Sequence, residues 1–174
     1  MVDPQVGASD KFYVSTDGGD HFSARPVPCD KTPAVQLIQV VPTSSTDVAL
    51  LCVGNPGFSK AEKLVYRSTD SGRTDTYAGT IGPYGVLADL AVSPTGNMAV
   101  ASSSDGSFIY INDGHKTTWS MPVGFSDGGA RWNDIVYATG KEAWVVYAPP
   151  DFFGDIGKLY VTHDGGHSCH FVTL

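Results

Sequence analysis

Apolar and polar residues alternate in short runs along almost the whole chain, and helical periodicity is nearly absent. Alternation together with β-branched and aromatic content predicts a strand beginning at Phe12, an outer strand at 22–27, and a hairpin of 35–41 with 48–53 about 42–46. Further strands are predicted at 63–68, 76–81, 86–92, 98–102, 107–112, 118–123, 132–137, 143–148, 158–162 and 168–173.

Four of these strands run into a short Asp/Gly turn: Phe12 to Gly19, Leu64 to Gly72, Phe108 to Gly114 and Leu159 to Gly166. The turn aspartates Asp17, Asp70, Asp113 and Asp164 recur every 43–53 residues, about the length of one four-stranded propeller blade. The chemistry suits tight turns. A carboxylate accepts backbone N–H groups, Gly supplies positive φ, and Ser or Thr adds a local side-chain bond.

The repeated unit resembles the Asp-box, or BNR repeat, of sialidases, xyloglucan-degrading glycosidases and photosystem assembly factors, with the pattern S-x-D-x-G-x-x-W. Ser15, Asp17 and Gly19 fit it, with Phe22 in the aromatic place. Ser68, Asp70 and Gly72 fit it with Asp75 in that place, and Thr162, Asp164 and Gly166 with Cys169. The third copy keeps only Asp113, with Trp119 one residue late. The resemblance extends from Phe12 to Leu174 and implies an all-β propeller whose boxes lie on the turns between strands C and D of each blade.

Counted this way, the chain is one propeller domain, or part of one, of about three and a half blades: a half-blade at 12–27 and blades at about 34–81, 86–123 and 131–174. Open sheet ends need cover. Pairing of two copies into a ring and membership of a longer propeller are favoured over closure as a small four-bladed ring.

Composition narrows the partners. A net charge of −7 with 11 Lys plus Arg leaves no basic stripe for nucleic acid or anionic lipid, and no apolar run is long enough to span a membrane. Glycan and protein ligands stay open, and no cofactor is expected. Met1-Val2-Asp3-Pro4 does not read as a secretory leader; the family resemblance implies an extracytoplasmic or secreted place. Cys29 and Cys52, on one face beside one inner strand, are candidates for a disulfide. His163, His167, Cys169 and His170 are dense, but alternate strand residues face opposite ways, so no metal site is expected.

The family's ligand sites lie on the face opposite the boxes, and loops on a rigid scaffold concentrate binding residues. Tyr84, Arg131 and Trp132 stand near that rim, and the 147–155 loop offers Phe152 and Phe153 beside Asp151 and Asp155, a combination suited to sugar stacking. Asp89 and Asp134 fall at matching places inside apolar inner strands. They read either as the acid and base of a glycosidase or as repeated hydrogen bonding between blades. Sialidase chemistry fits poorly: of the four arginines, Arg67 and Arg73 lie at the second box. The expectation is a non-catalytic binding or scaffold module, possible ligands including carbohydrate, with a glycoside hydrolase and a protein-docking propeller as alternatives.

Overall fold

The structure is a computed structural model that describes residues 11–31, 35–55, 57, 60–114, 116–125, 131–148 and 157–172. A two-stranded unit, β1 (Lys11–Val14) with β2 (Ser23–Pro26), is followed by the short 3-10 turn Pro28–Lys31. Three four-stranded antiparallel meanders follow. They are β3 (Val35–Pro42), β4 (Val48–Gly54), β5 (Lys63–Ser68) and β6 (Thr76–Ile81); β7 (Leu87–Val92), β8 (Met98–Ser103), β9 (Ser107–Asn112) and β10 (Ser120–Phe125); and β11 (Arg131–Tyr137), β12 (Ala143–Ala148), β13 (Lys158–Thr162) and β14 (His170–Val172). The sequence reading places these strands within about two residues of their observed ends, the usual uncertainty of element boundaries.

Alternation along the central strands gives each sheet two apolar faces, and three buried clusters glue the sheets in chain order. Phe12, Val27 and Cys29 pack on Val48, Leu50 and Leu64. The opposite face of the same sheet, Ala49, Leu51 and Val65, packs on Leu90, Met98 and Val100. Next, Ala99, Ala101 and Ile109 pack on Trp132, Ile135 and Val145. None of these three clusters joins the last sheet to the β1–β2 unit. Cys29 and Cys52, both fully buried, form a disulfide that ties the segment after β2 to β4.

Three turns share one hydrogen-bond scheme. In the first, the Ser15 hydroxyl donates to Asp17 Oδ1 and accepts the Gly19 N–H, each at 2.8 Å. Ser68 with Asp70 and Gly72, and Thr162 with Asp164 and Gly166, repeat it. Each carboxylate also accepts a backbone N–H further on, from His21, Thr74 and Ser168 respectively. Backbone donation from His21 and Thr74 holds the Asp17 and Asp70 carboxyls down at about 2. The aromatic place is not uniformly packed: Phe22 is 63 % exposed, whereas Cys169 lies against the last core cluster.

The third turn corrects the sequence reading. Cross-strand pairing sets Asn112 opposite Met98 at the place where Ser68 faces Val48 and Thr162 faces Ala143. Asn112 therefore occupies the Ser/Thr position, and Gly114 stands where the aspartate belongs. The Asn112 amide oxygen accepts the Gly114 N–H at 2.7 Å while its Nδ2 donates to the carbonyls of Lys116 and Thr118. Asp113 points outward and pairs with Lys116 at 2.6 Å. In this register Trp119 falls in the aromatic place with no offset; it packs on the second cluster and donates to the Ala78 carbonyl. The turn is also held from outside its own sheet, because Arg67 of β5 reaches across and donates to the carbonyls of Gly114 and Gly96.

Candidate functional site

The three inner strands β3, β7 and β11 carry a second periodic device. Gln39 and Asp89 are equivalent, since their cross-strand partners Leu51 and Ala101 lie three residues beyond Val48 and Met98. Gln39 clasps the backbone of Leu90: its Oε1 accepts the Leu90 N–H at 2.6 Å, and its Nε2 donates to the Leu90 carbonyl and, at 2.7 Å, to Asp89 Oδ1. Asp89 repeats the clasp one sheet on, where its Oδ2 accepts the Ile135 N–H at 2.8 Å. A side chain from one inner strand thus holds the residue after its counterpart on the next.

This geometry gives Asp89 a structural role between the inner strands. Burial raises the Asp89 carboxyl, the Ile135 N–H and Gln39 pull it back, and the Asp134 charge adds a smaller upward push. Both Asp89 oxygens are engaged by structural donors. Asp134 lies in the bulge between Trp132 and Ile135, exposed, so the ladder does not align it with Asp89 as a matched acid and base. Because the folded-state value of Asp89 is raised, the stability attached to its protonated form is full below about pH 4 and is lost as pH rises through the folded value.

An Asp89→Asn substitution is expected to cost about 1.5 kcal/mol, because the amide keeps one acceptor and turns an NH2 toward the other donor. Urea melts of Asp89→Asn, Gln39→Ala and the double variant would show it as a strongly non-additive pair; independent, additive losses would refute the shared clasp.

A cleft of about 330 Å³ opens beside the clasp, lined by Ile38, Val53, Leu87, Asp89, Trp132 and Asn133 among others. Its rim is apolar and open, with Ile38 44 % and Leu87 52 % exposed. Trp132, expected at a ligand surface, is buried instead, packed edge-on against Tyr147 and Tyr160 with ring centres 5.1 and 5.4 Å away. Tyr84 and Arg131 do not line this cleft. Tyr84 stacks on Phe108 and lies under Lys60 Nζ, 5.4 Å from its ring centre. Asp151, Phe152, Phe153 and Asp155 lie outside the described residues.

Sequence reasoning passed over Lys63, the largest fully buried side chain among the described residues. Its ammonium donates to the carbonyls of Ala61, Tyr84 and Gly85 at 3.0, 3.0 and 2.8 Å, tying the entry of β5 to the connection between β6 and β7. Burial pushes it down to about 8, while the three carbonyls favour the protonated form. At Gly85, φ is +85° and a Cβ would come within 2.1 Å of Ser102 Oγ, so this tight connection needs glycine. A lysine opening an apolar strand was the available signal. Among the described residues no cluster of three or more His, Cys, Asp or Glu is arranged to hold a metal ion, and no helix is long and apolar enough to cross a membrane.

Four-stranded antiparallel meanders packed face to face in chain order, with inner strands clasped in sequence, define an all-β protein of propeller-type blades. A solved structure described as YCF48 bound to D1 peptide has a similar fold, with a TM-score of 0.52 and 19 % sequence identity over 93 % of this chain. The chain spans 60 % of that one. No family model and no curated protein matches the chain. The fold is a YCF48-like propeller fold.

Proposed function

We propose that this chain is a non-catalytic docking module that holds a segment of another protein in the inner-strand cleft. The observation that carries the reading is the engagement of Asp89. The carboxylate facing the cleft is occupied by an amide and a backbone N–H, while the exposed wall is formed by Ile38 and Leu87, surfaces that suit apolar side chains of a peptide. The similar solved structure has a D1 peptide bound, which accords with a peptide-type ligand here. The buried Cys29–Cys52 disulfide supports an extracytoplasmic, oxidising place for the protein. Carbohydrate binding would rest on the Phe152–Phe153 loop, outside the described residues.

Panning the immobilised chain against a random peptide display library is expected to enrich apolar peptides that bind with Kd on the order of micromolar. Leu87→Asp, at an exposed position, should weaken them about tenfold without changing the melting temperature. Turnover in a chromogenic glycoside panel that is lost in Asp89→Asn would overturn the reading, as would peptides indifferent to Leu87→Asp.

A further inference from the structure

We propose that the inner edge of β7 at Ala88 is a main-chain binding slot, in which an extended segment of the partner polypeptide exchanges a pair of backbone hydrogen bonds with the Ala88 N–H and C=O. The slot lies in the cleft proposed above to hold a peptide, and rests on that reading. Its walls come from sheets that the chain supplies on both sides, β3–β6 and β11–β14. It is therefore independent of what adjoins the first or the last sheet.

The chain already fills the neighbouring place with an amide of its own. β7 pairs with β8 along one edge, and at Leu90 both backbone groups turn to the other edge, where the Gln39 carboxamide accepts the N–H at 2.6 Å and donates to the C=O at 3.2 Å. Successive residues of a strand turn their backbone groups to opposite edges, so those of Ala88, two residues earlier in an unbroken register, face the same way as those of Leu90. The Leu87 carbonyl turns the other way, as alternation requires, and accepts the Ser102 hydroxyl of β8 at 2.8 Å. Among the described residues no strand or side chain does for Ala88 what Gln39 does for Leu90. Val86, next in the same alternation, donates its N–H to the Ser103 carbonyl. The opening between Val86 and the seat of Gln39 is thus one residue wide.

A donor and an acceptor side by side on a strand edge are complementary to the backbone of an extended chain, and the Gln39 amide shows that this edge takes an amide in that way. The Ala88 methyl packs against the second cluster, which holds the slot in place before a ligand arrives. Ile38 and Leu87, both exposed and both lining the cleft, lie beside it to receive apolar side chains. The backbone pair supplies affinity common to any extended peptide, and the apolar wall supplies the preference among them.

Amide hydrogen exchange of the free, isotopically labelled chain is expected to show Ala88 exchanging fast between slow neighbours, and Gln39→Ala should speed exchange at Leu90 as well. The most enriched peptide of the display library, capped at both ends, should slow exchange at Ala88. Its single N-methyl analogues should lose affinity about tenfold at one residue and little elsewhere, the worth of one backbone hydrogen bond. Ala88→Pro removes an N–H that faces away from β8, a place where edge strands accept proline, and should weaken the peptide about tenfold with the circular-dichroism melt nearly unchanged. Should that variant fail to fold, the exchange and methylation results decide. Slow exchange at Ala88 in the free chain, or a peptide weakened by Leu87→Asp yet indifferent to N-methylation at every residue, would overturn the slot and leave the cleft as the docking site. Enrichment of no peptide at all would overturn both.

Discussion

Replacing Lys63 with methionine is expected to destabilise the chain by about 3 kcal/mol, even though methionine fills nearly the same volume. The carbonyls of Ala61 and Gly85 lose their donor, each at a cost of about 1–3 kcal/mol, that of Tyr84 keeps the Ser102 and Tyr110 hydroxyls, and relief of the desolvated charge offsets part of the loss. Alanine should cost more, about 4–5 kcal/mol, because a cavity is added to the unsatisfied carbonyls. The pH dependence separates this account from simple packing. Folding lowers the Lys63 value from 10.5 to about 8, so between those limits the unfolded chain binds more protons and the native state gains stability as pH rises. The difference in unfolding free energy between wild type and Lys63→Met, followed by urea melts from pH 7 to 10, should widen in favour of the wild type. Taking the difference matters because Tyr110 and Tyr137, raised by burial to about 12, act in the opposite direction near the alkaline end. A constant difference would show that Lys63 acts only as a filler.

Loss of the Cys29–Cys52 disulfide is expected to cost about 3 kcal/mol, the chain-entropy estimate for a bridge of its span; the cysteines lie 23 residues apart. Reduction or the Cys29→Ala, Cys52→Ala double variant should lower the melting temperature by several degrees, and the β1–β2 unit should lose amide protection before the three full sheets. That order follows from the packing, since the unit is held to the rest chiefly through Phe12, Val27 and Cys29 and through Arg25, which donates to the Ser71 carbonyl. Cys169 should not scramble the bridge near neutral pH: burial pushes its thiol up to about 11, leaving little thiolate to attack. Equal melting with and without reductant would show that the bridge adds nothing.

The architecture was legible because both of its signals are local. Period-two alternation marks the strands, and Ser68-x-Asp70-x-Gly72 and its relatives mark the turns, each by bonds within a few residues. The third box misled for a related reason: Asp113 carries the familiar letter, but strand pairing, a long-range property, gives its place to Asn112 and Gly114. Trp119 standing one residue late was the trace of that shift. The candidate site was less legible. Asp89 and Asp134 match in sequence, yet what each does depends on the neighbouring sheet: Gln39 and Ile135 engage the first, while a bulge turns out the second. Trp132 shows the same limit, since the rings that bury it lie on β12 and β13. Lys63 shows in the sequence only as a lysine opening an apolar strand, and its role depends on the three carbonyls it meets.

The Arg67 contact across to Gly114 and Gly96 bears on how the array comes apart. In a linear repeat, the stability of each unit divides into an intrinsic share and a share held jointly with its neighbour. The unit beginning at β7 has a turn that lacks its own aspartate and borrows a guanidinium from the unit before it, so weight has moved from the first share to the second. Heat or denaturant should therefore melt these two units as a single cooperative block, and a substitution in the turn after β9 should be felt as strongly in the sheet that donates the arginine as in the one that contains the turn.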